Sequence, residues 1–336
     1  MSYQSVVAIR RGGPEVLQIV ENDLREPAAG EVRIRVLATA VGRTDVNFRY
    51  GYSPFSPKVP FVPGYEILGV VDKLGAGVNG FATGQRVAAL ISHGGYSEMI
   101  YLNQEHLVPV PPILDPAEAV IIILNYVTAY QMLYRVAKVK AGHKVLVIGA
   151  SGGVGTALLQ LGKLAGLKMY GTASSDKLTF VAGLVATPID YRTQDFVAVI
   201  RQAEPDGLDF VFDGVGGEYS ERGLEVLHPG GKLVGYASPT GLGSMLSGML
   251  KMAFINLLPN GKRAAFFGIS ALYMQNKRPF MEDLPVLFKL LEEGKIKPII
   301  AQKLPVLQAA KANELLESGT VSGNLVLLAP ELLKQE

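Results

Sequence analysis

The sequence predicts an α/β protein in which a doubly wound parallel sheet accompanies a separate β-rich domain. A chain of 336 residues exceeds the usual size of a single core, so two domains are expected. From Lys144 to about Phe267, short apolar segments alternate with helical ones, the rhythm of a parallel sheet covered on both faces. The first third of the chain instead shows short strands separated by Gly, Pro and Asn.

Composition restricts the chemistry that this chain can perform. Hydrophobic residues make up 49% and charged residues 18% of the chain. The net charge is only +2 and the basic residues form no stripe along the sequence, so no nucleic-acid partner is expected. Cysteine is absent, and the four histidines have no metal-ligand spacing, so we predict no metal site. Because there is no leader-like apolar start and no uninterrupted run of about 18 apolar residues, we expect a cytoplasmic protein without a transmembrane helix.

The elements can be predicted in chain order. Strands are expected at 6–9, 16–20, 32–41 and 67–71, where apolar stretches are bounded by turn residues. Near Asp115 the pattern becomes helical, with Asp115 as N-cap and Pro116 in the first turn. The later parallel strands are predicted in K-V-L-V-I, K-M-Y-G-T, P-I-D-Y, D-F-V-F-D, K-L-V-G-Y and A-A-F-F-G.

The C-terminal tail has a different pattern. Amphipathic helices are predicted at 283–293 and 307–317, followed by a final strand at 323–328. A doubly wound sheet does not need this tail, so we assign it to the N-terminal domain.

The strongest chemical signal is the segment 144–161, which has an apolar strand, a glycine turn and an apolar-periodic helix in the order of the Rossmann dinucleotide-binding fold. Gly155 lets the helix pack closely, and Ala150 stands where the first glycine of the fingerprint is expected. The amides that would face a diphosphate at the helix N-terminus belong to Ser151, Gly152, Gly153 and Val154. We therefore predict dinucleotide binding rather than an ordinary βα turn.

The residues after the second parallel strand favour NADPH over NADH. NAD sites usually place an Asp or Glu here for the ribose hydroxyls, whereas Ser174, Ser175 and Lys177 offer donors and a cation for a 2′-phosphate. Asp176 opposes this unless it turns away, and Tyr191 can add a hydroxyl. The alternative is that one of the serines caps a helix and that the lysine is solvated.

Several motifs resemble those of the medium-chain dehydrogenase/reductases, particularly the zinc-free quinone oxidoreductases and, among them, the vesicle amine transport protein branch. They are P-G-Y-E, G-Q-R-V, L-N-Y-V-T-A-Y, A-S-G-G-V-G, G-T-A-S-S-D-K, P-I-D-Y-R and D-G-V-G-G. The resemblance covers nearly the whole chain. It implies a Rossmann domain at 124–270 inserted in a GroES-like catalytic domain formed by 1–123 and 271–336, and a homodimer formed through the strand near Ala264 to Gly268.

The resemblance also implies chemistry without zinc. The zinc-dependent alcohol dehydrogenases of this superfamily carry a Cys before a T-D pair and then G-H-E, and Gly42 and Tyr65 stand at the Cys and His positions. Asp45 and Glu66 remain, but two oxygen ligands alone make a poor zinc site. Hydride transfer without a metal needs an acceptor that is already electrophilic, such as an apolar quinone, enone or enal.

By the same resemblance, Thr44, Tyr52 and Tyr65 line the nicotinamide pocket, and Asn125 and Thr128 reach the cofactor or the substrate. Tyr65 or a water molecule would donate the proton. Alternatively, the two tyrosines are packed aromatics, and Thr44 with Asp45 caps a helix. The remaining cofactor-binding candidates are Gly214, Val215, Tyr236, Phe267 and Asn324.

The segment 241–259 is rich in glycine and methionine and is apolar apart from Lys251. Flexible methionines suit a lid over an apolar ligand. The alternatives are ordinary packing near the cleft or a dimer interface, and peripheral membrane contact, although a basic face is missing. Besides the reductase, two other functions remain open: a nucleotide-binding regulatory or lipid-associating protein with little turnover, and a reductase specific for one metabolite.

Overall fold

The computed structural model describes residues 1–237 and 241–333. The chain forms two compact units, Met1–Val127 with Asn276–Glu336, and Thr128–Gln275. The second unit is therefore inserted in the first, with its boundaries at 127 and 275 where the resemblance implies 123 and 270.

Strands dominate the N-terminal part of the first unit. The elements are β1 (Ser2–Ala8), β2 (Leu17–Asp23), β3 (Glu31–Val41), α1 (Arg43–Tyr50), β4 (Glu66–Leu74), β5 (Arg86–Leu90), β6 (Met99–Asn103) and β7 (Val108–Pro109). In β3, Val32, Ile34 and Val36 are buried while Arg33 and Arg35 lie on the opposite face. This alternation turns one face of the strand toward the core.

A long helical run spans the boundary at residue 127. It contains α2 (Pro116–Ile121) and α3 (Val127–Tyr130), with π-helical turns at Ile122–Tyr126 and Gln131–Ala137. Asp115 caps the run, since its carboxylate accepts the Ala117 amide at 2.7 Å, and Pro116 occupies the first turn, so this prediction is confirmed.

The same run, Pro116–Ala137, is the one helix among the described residues that is long and apolar enough to cross a membrane. The sequence criterion of an uninterrupted apolar run does not detect it, because polar residues such as Glu118 and Asn125 interrupt it. Within its most apolar window 67% of the residues are buried inside the protein, which is the pattern of a core helix.

The second unit alternates strands and helices. They are β8 (Lys144–Ile148), α4 (Gly153–Leu164), β9 (Lys168–Ala173), α5 (Leu178–Gly183), β10 (Thr187–Asp190), α6 (Phe196–Ala203), β11 (Leu208–Asp213), α7 (Glu218–Glu225), β12 (Leu227–Gly235), α8 (Leu242–Leu257), β13 (Arg263–Phe266) and α9 (Ile269–Gln275). All six predicted strands are present. They pair in parallel in the order β10-β9-β8-β11-β12-β13 around a core that includes Leu146, Ile148 and Val211. The order reverses between β8 and β11, and ligands of such sheets bind outside the carboxyl ends of the strands at that point.

The tail completes the first unit. Its elements are α10 (Arg278–Glu292), β14 (Ile300–Pro305), α11 (Ala309–Glu317), β15 (Asn324–Leu328) and α12 (Pro330–Leu333). The fully buried β15 pairs antiparallel with β3 and parallel with β14, in a seven-stranded sheet. The tail therefore belongs to the N-terminal domain, as predicted, but β14 was not predicted, because its polar residues hide the strand pattern.

Candidate functional site

The turn between β8 and α4 depends on Gly149. Its φ of +84° is left-handed, a conformation that a glycine adopts without strain. Its carbonyl accepts the Gly152 amide at 3.2 Å, and its own amide donates to the Thr172 hydroxyl at 3.1 Å. Ala150, which stands at the first glycine position of the fingerprint, is buried behind the turn, and the neighbouring Gly149 supplies the left-handed residue that the turn needs.

Gly155 allows α4 to start close to this turn. A Cβ at Gly155 would lie 2.3 Å from the Gly149 carbonyl oxygen and 2.8 Å from the Ala150 carbonyl carbon. The N-cap residue of α4 is Gly152, which has no side chain to bind the first amides of the helix. The Gly152 amide is already bonded to the Gly149 carbonyl, so the amides of Ser151, Gly153 and Val154 remain for a helix N-terminus of the kind that accepts a diphosphate.

Two loops lie side by side at the carboxyl edge of the sheet, after β9 and β10. The strands are parallel neighbours, with Ala173 beside Asp190. Ser174 precedes a 3-10 turn at Ser175–Lys177, and its hydroxyl does not cap that turn. The hydroxyl of Ser175 donates to the Asp190 carboxylate at 2.5 Å, so Ser175 links the two loops.

Cations gather at the same edge. Lys177 is only 8% exposed, so the alternative of a solvated lysine is wrong. Arg192, which the sequence did not single out, lies over the ring of Tyr191 at 5.8 Å and 4.0 Å from the Asp176 carboxylate. The motif P-I-D-Y-R contains this arginine, but only the pairing of β9 with β10 shows which residues surround it.

The loop after β11 is fixed by Asp213. Its buried carboxylate accepts the amides of Val215 at 2.8 Å and Gly216 at 3.0 Å. A Cβ at Gly214 would meet the Tyr236 hydroxyl oxygen at 2.6 Å, so the tyrosine covers this glycine. Burial raises the pKa of the Tyr236 hydroxyl. Val215 is exposed at the edge of the sheet.

Two further cofactor candidates are buried. The side chain of Phe267 is 3% exposed and packs in the core, while its amide donates to the Gly235 carbonyl at 2.8 Å. Thr128 is 5% exposed, and its hydroxyl oxygen has no hydrogen-bond partner within the described residues. A buried hydroxyl without a partner is unfavourable, so Thr128 is a position where a ligand atom would add stability.

In the first unit, Asn125 and Asn324 are hydrogen-bonded to each other. The Asn125 amide nitrogen donates to the Asn324 side-chain oxygen at 2.6 Å, and the Asn324 nitrogen donates to the Ile299 carbonyl at 3.0 Å. Asn324 is 6% exposed and uses both ends of its amide inside the protein. The Asn324 side chain thus orients the amide of Asn125, and a contact of Asn324 with the cofactor stays a prediction.

Asp45 caps α1. Its carboxylate accepts the amides of Gly42 and Gly64, each at 2.9 Å, while Thr44 lies half-buried beside it. The capping alternative is therefore confirmed for Asp45. Burial raises the pKa of this carboxyl to about 6, because desolvation outweighs the two amide hydrogen bonds.

The two candidate tyrosines have different environments. Tyr65 is 4% exposed and packs against Phe48, with ring centres 5.9 Å apart, and burial raises the pKa of its hydroxyl. Tyr52 is 50% exposed and stacks on Tyr50, with ring centres 5.0 Å apart. The packed-aromatic reading therefore applies to Tyr65, whereas Tyr52 presents an open ring face.

Glu66 lies next to Tyr65 in the sequence and is also buried. One of its carboxylate oxygens has no partner among the described residues. Burial, reinforced by the nearby charge of Asp45, raises the pKa of Glu66 well above its ordinary value. Within residues 1–237 and 241–333, no three His, Cys, Asp or Glu side chains come together as a metal-binding group.

The glycine- and methionine-rich segment forms α8 on the surface of the second unit. None of its side chains is buried. Its exposed apolar residues are Leu242, Leu246, Met249, Leu250, Phe254 and Leu257. The Asn256 side chain anchors the helix to β13 by bonding both backbone groups of Ala264, at 2.9 and 3.0 Å.

Comparison with protein families matches both parts of the chain. A model described as "Alcohol dehydrogenase GroES-like domain" matches residues 28–112, and one described as "Zinc-binding dehydrogenase" matches residues 184–327. The human "Synaptic vesicle membrane protein VAT-1 homolog-like" is 30% identical over 341 residues, 96% of this chain and 80% of that protein. The rat "Quinone oxidoreductase" is 30% identical over 326 residues, 94% of this chain and 95% of that protein.

Solved structures give the same result. The Escherichia coli quinone oxidoreductase complexed with NADPH has a TM-score of 0.86 and 28% identity, covering 97% of this chain and 99% of that chain. The human VAT-1 homolog-like protein has a TM-score of 0.84 and 28% identity, covering 98% of this chain and 99% of that chain.

Proposed function

Since the chain belongs to the medium-chain dehydrogenase/reductase superfamily, with quinone oxidoreductases and VAT-1 homologues among its relatives, we propose that it is an NADPH-dependent oxidoreductase that reduces quinones and other activated carbonyl compounds without zinc. The observation that carries the proposal is the bare glycine turn at Gly149–Gly155, which lies at the same sheet edge as the cations after β9 and β10.

The residues present fit a dinucleotide. Gly155 permits the close approach of α4 to the turn, and the N-terminus of α4 offers amides that no cap side chain occupies. Thr128 supplies a buried hydroxyl that lacks a partner among the described residues. When bound, NADPH would supply a hydride, and this edge of the sheet would hold its diphosphate and adenosine.

The preference for NADPH is supported by charge. The loops after β9 and β10 carry Lys177 and Arg192, and the hydroxyls of Ser174 and Tyr191 lie in the same loops. A phosphate dianion is stabilised by cations and donors, whereas a ribose diol needs an acceptor. Asp176 is the opposing charge in this group.

On the substrate side, we propose that the residues bind and orient the acceptor rather than activate it strongly. Tyr52 presents an exposed ring face on which a flat, apolar quinone can stack. Asn324 holds the amide of Asn125 in one orientation. The raised pKa of Tyr65 makes its buried hydroxyl a reluctant proton donor, which favours water in that role.

The test is NADPH oxidation by purified protein with 9,10-phenanthrenequinone, 1,4-benzoquinone and simple enals, each repeated with NADH and after treatment with a chelator. We expect turnover with several acceptors, a preference for NADPH and no loss in chelator. A stoichiometric zinc ion required for turnover would overturn the zinc-free mechanism. One strongly preferred acceptor would identify a metabolite-specific reductase instead.

A second candidate function is a nucleotide-binding regulatory or lipid-associating protein. It is favoured by the exposed apolar side chains of α8, which are unusual for a surface helix. Tight NADPH binding with no oxidation across the acceptor panel would support this alternative.

We also propose that the protein forms a homodimer through β13. Among the described residues, β13 pairs only with β12, so the other edge of β13 is open. The exposed Phe266 belongs to this strand. An open strand edge beside apolar surface is a template for pairing with a second copy. Light scattering should give the mass of two chains, and a mass of one chain would contradict the proposal.

A further inference from the structure

Asp176 lies among the groups that are proposed to bind the 2′-phosphate. Its carboxylate is hydrogen-bonded to the Ser174 side chain, lies 4.0 Å from the Arg192 guanidinium and follows the same strand as Lys177. The hydrogen bond from Ser174 is the main reason why the pKa of Asp176 is lowered, and the charges of Lys177 and Arg192 add to it. In the protein alone, this carboxylate thus has the partners expected of a bound anion.

Asp190, the second acid in these loops, does not compete with a phosphate for the same groups. Asp190 accepts the Ser175 hydroxyl at 2.5 Å, the Arg192 amide at 3.0 Å and the Thr193 hydroxyl at 2.9 Å. Asp190 is 5% exposed, and its carboxylate is stabilised by these fixed donors of its own loops. Asp176, in contrast, is on the surface, with 61% of its side chain exposed.

We infer that Asp176 is an internal competitor for the 2′-phosphate, which holds Ser174 and Arg192 until NADPH displaces it. The inference rests on the proposed function, and it makes Asp176 a residue that limits the selectivity for NADPH over NADH. Displacement is feasible because both side chains of the Asp176–Arg192 ion pair are exposed, and exposed ion pairs are weak. A guanidinium released from one carboxylate gains more from a phosphate dianion.

The inference predicts opposite effects for the two partners. Asp176→Asn should tighten binding of NADPH roughly threefold, because it removes the competing charge. Arg192→Gln should weaken NADPH roughly tenfold, because it removes a charge-assisted hydrogen bond to the phosphate. NADH binding should change less than about twofold in either variant, since NADH has no 2′-phosphate.

Calorimetric titration with 2′,5′-ADP and 5′-AMP isolates the phosphate without any turnover. Asp176→Asn should tighten 2′,5′-ADP and leave 5′-AMP unchanged. Glu225→Gln is the matched control, because Glu225 forms an exposed ion pair with Arg201 at 3.0 Å. Both residues lie in the last turns of their helices, at the opposite edge of the same sheet, so this control should leave all four ligands unaffected.

The double variant tests whether the two residues exchange partners. In an Arg192→Gln background, Asp176→Asn should lose most of its gain in 2′,5′-ADP affinity, since there is no guanidinium left to release. Full retention of the gain would indicate direct repulsion and overturn the exchange. Wild-type binding of NADPH with no tightening in Asp176→Asn would overturn this inference alone, whereas a wild type that binds neither coenzyme would overturn the proposed function.

Discussion

Replacing Gly155 by alanine tests the glycine turn directly. The new Cβ would lie 2.3 Å from the Gly149 carbonyl oxygen, whereas ordinary contacts begin at 3.4 Å. The atoms in conflict belong to the backbone, so no side-chain rotation can relieve the overlap. Either α4 or the turn must move by roughly 1 Å, the difference between these two distances.

The expected magnitudes follow from that shift. Alanine favours the helix by about 1 kcal/mol, while overpacking costs about 1–3 kcal/mol, so the free energy of unfolding should fall by about 0–2 kcal/mol. Coenzyme binding should suffer more. Each amide hydrogen bond to a charged phosphate contributes about 1.5–3 kcal/mol, and loss of one weakens binding roughly 10- to 100-fold.

The measurement is fluorescence titration with NADPH, combined with urea unfolding of the same sample. Gly183→Ala is the matched control, because Gly183 also lies in a helix of the second unit and a Cβ there meets no atom within 4 Å. The control should bind NADPH like the wild type. If Gly155→Ala is folded and binds NADPH with unchanged affinity, the turn is not the diphosphate site and the reasoning fails.

Three further predictions concern substrate binding and stability. Tyr52→Ala should lower kcat/KM for quinones roughly tenfold, with the dissociation constant of NADPH unchanged, in steady-state assays; an equal loss of NADPH binding would contradict a substrate-side role. Glu204→Gln should destabilise the fold by about 2 kcal/mol at pH 7, because Lys144, Lys168 and a tyrosine hydroxyl outweigh the effect of burial and lower the pKa of Glu204 to about 2. The difference in the free energy of unfolding between this variant and the wild type, measured in urea, should disappear as the pH falls from 4.5 toward 2. A difference independent of pH would refute the charge argument. An acid whose pKa is raised in the folded state destabilises the fold once the pH exceeds its unfolded pKa, so Glu66 should make the free energy of unfolding fall as the pH rises. Glu66→Gln should make this fall less steep in urea unfolding. Identical slopes of unfolding free energy against pH in the variant and the wild type would show that Glu66 does not titrate there.

The sequence predicted those parts of the fold that depend on local pattern. The parallel strands and the Asp115 cap follow from periodicity and capping chemistry, which act within a few residues. Gly155 was also predicted, because the spacing of the glycine motif fixes the contact between helix and turn. Gly149 was missed because its role depends on a positive φ, which the residue type permits but does not reveal.

The features that sequence reasoning missed depend on residues that are distant in the chain. Arg192 approaches Asp176 only because β9 and β10 are parallel neighbours. The hydrogen bonds that join Asn324 to Asn125 and to the Ile299 carbonyl likewise connect residues that are far apart in the chain. Tyr52 is exposed whereas Tyr65 is buried, and no local sequence pattern distinguishes these two tyrosines.

The position of β15 has a consequence for biosynthesis. Its buried residues complete the sheet against β3, although almost the whole chain separates the two strands in sequence. On the ribosome, the inserted nucleotide-binding unit can therefore finish folding while β3 still lacks its partner, since Asn324–Leu328 are synthesised after the whole of that unit. A nascent chain stalled before that point would expose an apolar strand edge to chaperones, and a truncated gene product would be a substrate for proteases rather than a smaller working enzyme.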